Sequence, residues 1–177
     1  MIRQVSSREV YRNPWLSLRE DRTLRPDGSA GIYSVVDKPD FALVIPYERD
    51  GFHLVEQYRY PVRGRFWEFP QGTAAGGRAV APAELAVGEL AEETGLRAGR
   101  LELLGHLHCA YGMSSQGFDV FLATELTPGP TARETSEQDM RQEWVSRAGF
   151  EALVRAGRVT DDSTLAAYAL LLMRERA

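Results

Sequence analysis

The segment Pro82–Thr94 reads as a helix, with proline in its first turn and Gly95 just past its end. Its place in the chain constrains the fold more than any other feature. Strand-like runs precede it at residues 17–24, 31–36, 41–47, 52–60 and 66–69. Others follow it at 101–107, 118–126 and 143–146. Pro26-Asp27-Gly28, Lys38-Pro39-Asp40 and Glu48-Arg49-Asp50-Gly51 punctuate the early strands, and Pro61 and Pro70 stop two of them. Helices at 150–156 and 163–174 close the chain, with Asp161 or Asp162 as N-cap of the last. Strands, one central helix, more strands and terminal helices make an α+β pattern, not an alternating βαβ series. The first strands, about residues 3–36, are expected as a separate small sheet in front of the main one.

Composition narrows the chemistry. With 177 residues and 44% apolar content, the chain builds a core without a disulfide or metal staple. Its 21 basic and 25 acidic residues give a formal charge of −4, the wrong balance for a general nucleic-acid or anionic-membrane binder. A mildly acidic protein that handles phosphates needs a local remedy: an Arg cluster, a Gly-rich loop or a bound cation. The lone Cys109 excludes an intramolecular disulfide and reads as a small buried apolar residue. The start lacks the apolar core of a signal peptide, and the longest apolar run, residues 165–173, is too short for a bilayer. A cytoplasmic protein is expected.

Glu89, Glu92 and Glu93 stand at i, i+3 and i+4, which places all three on one helix face. Val87, Leu90 and Ala91 are expected on the opposite, core-facing side, and Leu85 does not fit that division. Neighbouring like charges cost roughly 0.2–0.5 kcal/mol per pair. No Lys or Arg stands at helical spacing before Arg97. A divalent cation, Mg²⁺ or Mn²⁺, would relieve the repulsion through hard oxygen ligands; a solvated acidic face is the other reading of the run. Upstream, the strand with Trp67-Glu68-Phe69-Pro70 leads into a loop containing Gly72, Gly76 and Gly77, where backbone can approach a ligand closely.

The run Gly88-Glu89-Leu90-Ala91-Glu92-Glu93-Thr94-Gly95-Leu96 resembles the second half of the Nudix hydrolase signature. Gln57-Tyr58-Arg59-Tyr60, Trp67-Glu68-Phe69-Pro70-Gln71-Gly72 and Gly157-Arg158-Val159-Thr160-Asp161 are similar to its ADP-ribose pyrophosphatase branch, so the likeness spans about Trp15 to the last helix. Two positions depart: Gly88 stands at the signature Arg, and Val80 falls at the first signature Glu. The loop from Gly72 to Pro82 is two residues longer than usual and carries Arg78.

The resemblance implies a Nudix fold, a mixed sheet between helices, with an N-terminal antiparallel strand arm at 1–38 and a hydrolase domain at 39–177. It implies Mg²⁺ (or Mn²⁺) held by Glu89, Glu92, Glu93 and the backbone carbonyl of Gln71, with Glu92 also among the catalytic groups. A general base is expected on the polar loop 127–138, with Glu137 first and Glu134 second, carried over the sheet edge where the helix starts. Arg59, Glu68 and Gly72 are the substrate-contact candidates, and Arg63 and Arg65 read as surface charges. Trp15 and Trp67 either stack on a base or belong to core or interface. His53, His106 and His108 lack the spacing with other ligands of a zinc site; His106 and His108 share a strand face and read as packing or solvent-facing residues, and Ser114 lacks a nucleophile elbow. The implied reaction is cleavage of ADP-ribose to AMP and ribose 5-phosphate by a homodimer that exchanges strands before Lys38. Alternatives are a Nudix enzyme on a sugar nucleotide, dinucleotide or nucleoside triphosphate, or a nucleotide-binding Nudix protein of weak activity.

Overall fold

The computed structural model describes residues 1–74, 79–133 and 138–176. Strands β1 (Arg3–Arg12), β2 (Ser17–Leu24) and β3 (Ala30–Asp37) form an antiparallel sheet in the order β1-β2-β3. This is the small sheet expected at the front of the chain. β1 has no buried position, which explains why no hydrophobic alternation marks it in the sequence. Backbone bonds join this sheet to the rest: Val36 N–H donates to Met113 O (2.8 Å) and Ser115 N–H to Val36 O (3.0 Å).

The main sheet contains β4 (Phe41–Glu48), β5 (Gly51–Arg59), β8 (Leu96–His108), β9 (Gly117–Pro128) and β10 (Arg141–Ser146) in the order β10-β5-β4-β9-β8. Two short strands, β6 (Gly64–Glu68) and β7 (Gln71–Gly72), pair with β5 and β4. β4 runs parallel to β9, so the sheet is mixed. The β4–β5 turn has Arg49 and Asp50 both at φ 51°, the twist a two-residue hairpin demands. β8 starts at Leu96, five residues before the sequence pattern suggests, because Arg97, Gly99 and Arg100 hide the alternation on an exposed sheet edge.

Helices cover both faces. On one side Ala86 and Leu90 of α1 (Pro82–Thr94) pack on Ala42, Val44, Phe121 and Ala123. On the other, Phe150 of α2 (Arg147–Arg155) and Ala167 and Leu171 of α3 (Asp162–Glu175) pack on Leu43, Ile45, Leu54, Val120 and Leu122. Phe69 stacks on Phe150 at 5.4 Å and meets Phe52 edge-on at 5.5 Å. Trp67 lies in this core, whereas Trp15 is 72% exposed. Among the described residues no helix is long and apolar enough to cross a membrane.

The two α1 glycines have opposite roles. Gly95 caps the helix at φ +71°, and a β-carbon there would stand 2.6 Å from Gly129 O. A β-carbon on Gly88 meets only Glu92 Oε1 at 3.9 Å, an ordinary contact. Chemical denaturation is therefore expected to show Gly88→Ala stabilised by about 1 kcal/mol. Gly95→Ala should be destabilised by more than ~1 kcal/mol.

Candidate active site

The site is built where β4 and β5 part. They pair only at Tyr47↔Phe52 and Glu48↔Gly51, next to their turn. Further along, β6 continues on β5 from Val55↔Glu68 to Arg59↔Gly64, while β7 continues on β4 through Ala42↔Gly72 and Leu43↔Gln71. Phe69 and Pro70 cross the gap. Val44 N–H donates to Pro70 O (2.9 Å), and Phe69 N–H donates to the Thr164 hydroxyl (3.1 Å). Glu68, Gln71 and Gly72 are thereby held at the mouth of the opening.

Glu68 is 1% exposed. Gln57 Nε2 donates to its Oε1 (2.8 Å), Arg59 Nε donates to Oε2 (3.0 Å), and Arg59 Nη2 also bonds Oε1. Burial pushes the Glu68 carboxyl up, against the pull of Arg59. Burial also opposes the Arg59 charge, but Glu68, Asp161 and Glu93 together hold its pKa above the ordinary arginine value. Three carboxylates thus act on one guanidinium. Expected as a substrate contact, Arg59 first serves as Glu68's bidentate partner, with its side chain still 40% exposed. Asp161 is the N-cap of α3: its Oδ2 accepts from Thr164 N–H (2.7 Å) and from Gln71 Nε2 (3.1 Å).

α1 does not present its carboxylates as one solvent face. Its buried positions are Ala86, Leu90, Glu93 and Thr94. Glu93 is 1% exposed, Glu89 is half-buried and Glu92 is exposed. Val87, expected on the core side, is 45% exposed, while Leu85 packs on the core. The stripe at i, i+4 and i+7 that meets β4 and β9 runs through 86, 90 and 93, which leaves 87 outside it. Gly72 lies against Glu89: a β-carbon on Gly72 would stand 2.6 Å from the carboxylate carbon and Oε1. Only glycine leaves Glu89 that space.

Glu89, Glu92 and Glu93, with the Gln71 carbonyl, form a donor set of hard oxygens that suits Mg²⁺ or Mn²⁺ in kind. Their side chains do not converge as they stand. Among the described residues no group of three or more His, Cys, Asp or Glu could hold an ion.

Glu134 and Glu137, the base candidates, and Arg78, Gly76 and Gly77 lie outside the described residues. The chain on either side of 134–137 is anchored. Ala132 N–H donates to Glu92 O (3.1 Å), and Arg133 Nε donates to Glu93 O (3.0 Å) while its Nη1 bonds Met140 O. On the far side, Arg65 Nη2 donates to Asp139 O (2.8 Å) and Arg65 Nε to Glu56 Oε2 (3.3 Å). The near flank therefore meets the last turn of α1, not its start. Arg65, expected as a surface charge, tethers the far flank to β5. Sequence reasoning missed the Arg133 and Asp161–Gln71 links, because no spacing rule connects residues 40 or 90 positions apart. Cys109 is half-buried, 3.9 Å from the Ser163 hydroxyl, and burial pushes its thiol pKa up.

The chain matches two family models: a nucleoside diphosphate sugar hydrolase N-terminal domain over residues 2–36 and a NUDIX domain over residues 37–167. It is 30% identical to an ADP-ribose pyrophosphatase of Mycobacterium tuberculosis (strain ATCC 25618 / H37Rv), over 92% of this chain and 79% of that one. It is 26% identical to an ADP-ribose pyrophosphatase of Bacillus subtilis (strain 168), over 97% and 92%. A crystal structure of an ADP compounds hydrolase shares the fold at a TM-score of 0.83 and 21% identity, covering 98% of this chain and 92% of that one. With the NUDIX model spanning residues 37–167, and Gly72 set against Glu89 of α1, the chain belongs to the Nudix family.

Proposed function

We propose that this Nudix enzyme hydrolyses ADP-ribose, adding water across the diphosphate to give AMP and ribose 5-phosphate, with Mg²⁺ as its working cation. The observation that carries the reading is the apposition of Gly72 to Glu89, which sets the end of β7 directly on the carboxylate helix. The two ADP-ribose pyrophosphatases that align over most of this chain support the substrate. Nudix enzymes generally need a divalent cation. When bound, it polarises phosphate oxygens and lowers the pKa of a coordinated water. In this reading Glu89, Glu92, Glu93 and the Gln71 carbonyl hold it, and Gly72 and the free edge of Arg59 face the diphosphate. Glu68 keeps the Arg59 guanidinium oriented, and Glu137 accepts the proton of the attacking water. The protein acts in the cytoplasm as a homodimer. The exposed Val5, Val10, Tyr11 and Ile32 of the N-terminal sheet support an intersubunit arm.

In a hydrolysis panel of ADP-ribose, sugar nucleotides, dinucleoside polyphosphates and triphosphates, ADP-ribose with Mg²⁺ is expected to turn over fastest, and EDTA should stop it. Glu93→Gln should lose both activity and Mn²⁺ binding. Mn²⁺ titration unchanged in that variant removes the proposed cation site.

Glu137→Gln is expected to lower kcat by roughly 10²–10⁴-fold, the usual size of a general-base contribution, with KM and metal affinity little changed. Glu134→Gln is the paired control and should be mild. Wild-type kcat in both variants would place the base elsewhere.

Gly88 bears on the activity level, because a side chain there starts next to Glu92 Oε1. If its absence weakens the carboxylates' support, Gly88→Arg should raise kcat, and steady-state kinetics would read the gain. A fully active wild type that gains nothing from Gly88→Arg would assign that support to another residue, Arg78 first.

A further inference from the structure

At the end of β8, outside the carboxylate site, His106 and His108 occupy alternate positions and so share a strand face. Their rings stand 5.0 Å apart, centre to centre, at 81°. His106 Nδ1 lies 3.1 Å from Asp119 Oδ1. A carboxylate only accepts, so Nδ1 carries the proton, and Nε2 is the nitrogen that the neutral ring offers a ligand. That Nε2 overhangs Gly117, where a β-carbon would stand 2.5 Å from it, and Gly117 is the cross-strand partner of His108. Glycine opposite His108 therefore leaves the His106 ring room beside the second imidazole. Both rings line an open groove of about 390 Å³, shared with Asp162 and Cys109.

We propose that His106 and His108 form a two-imidazole chelate for a borderline first-row cation, Zn²⁺, Ni²⁺ or Cu²⁺, with Asp119 as the carboxylate that orients one ligand. Imidazole nitrogen suits these ions and not Mg²⁺. The spacing fits: with metal–nitrogen bonds of about 2.0–2.1 Å, two imidazole centres on one ion stand about 4.5–5.2 Å apart. Asp119 behind His106 completes the carboxylate–histidine–metal arrangement that fixes tautomer and raises ligand basicity. Asp162 adds negative charge at the groove. Burial pushes the Cys109 thiol pKa up, which disfavours the thiolate form that a metal takes. Water completes the coordination, so the site binds exchangeably in the micromolar range instead of closing round a structural ion.

The test is calorimetric titration of Zn²⁺ into the full chain in excess Mg²⁺, which occupies hard-oxygen sites. One Zn²⁺ is expected with micromolar affinity, weakened at least tenfold in His106→Asn and in His108→Asn, and about 10–100-fold in Asp119→Asn. Glu93→Gln should take up Zn²⁺ as wild type does, which separates this site from the proposed catalytic one. Both imidazoles are exposed, so the variants should keep the wild-type melting temperature. Cu²⁺ electron paramagnetic resonance should show two coupled nitrogens in wild type and one in each histidine variant. Equal Zn²⁺ affinity in wild type and His108→Asn, or no Zn²⁺ uptake by folded wild type, overturns the proposal.

Discussion

The divergence of β4 from β5 is the constraint on which the site depends. A continuous β4–β5 ladder would satisfy its own backbone groups and leave no room for a third segment. After two paired positions the ladder opens, and residues 64–72 enter, binding β5 on one side and β4 on the other. The inserted segment takes up β4 at Ala42, Leu43 and Val44 and β5 from Val55 to Arg59. Phe69 fills the gap with a ring buried against Phe52 and Phe150. An apolar wedge thus carries two polar residues, Glu68 and Gln71, and the close-approach Gly72 to fixed places at the opening.

The same wedge explains the charge pattern. Glu68 arrives almost fully buried and meets Arg59 from the β5 strand it pairs with. Gln71, on the other branch, reaches Asp161 at the head of α3. Asp161 caps that helix and Thr164 in its first turn accepts from Phe69, so α3 locks the wedge from below. The inserted segment and the last helix are coupled through these few bonds, although they lie far apart in sequence.

Much of this was legible in the sequence, and the reason is periodicity. β4, β5 and β9 carry near-continuous apolar runs because both faces are covered, and Pro, Gly and Asp mark their ends. α1 is visible from Pro82 and Gly95 at its two ends. What stayed hidden is of two kinds. β1 and the first half of β8 lie on exposed edges, where ladder bonds make a strand without an apolar pattern. The second kind is orientation within a correctly placed helix. The i, i+3, i+4 rule groups Glu89, Glu92 and Glu93 but does not say which edge of that group faces the sheet. Glu93 reads as solvent-facing until β4 and β9 are in place. The long-range partners Arg133 and Arg65 share that limit, since their roles exist only once the chain returns from β9 to β10.

The burial of Glu93 is the strongest argument that α1 is built for chemistry and not for packing alone. A buried charged arrangement is often matched or bettered, by about 1–4 kcal/mol, when apolar residues of similar volume replace it. Position 93 lies in line with Ala86 and Leu90, where leucine would extend the core. The helix end adds to the cost. The macrodipole is negative there, Glu92 and Glu93 are negative, and the last turn holds no basic residue. Arg133 arrives from the loop after β9 to donate to the Glu93 carbonyl, and Arg59 contributes its field from β5. Arg133 serves the carbonyl end of the helix, whatever the side chain at 93, whereas the Arg59 field acts on the carboxylate itself and would be idle beside an apolar side chain. That expense has a physical rationale once a cation is part of the working enzyme, because a carboxylate already held in a low-dielectric wall interacts with the ion more strongly than one in water.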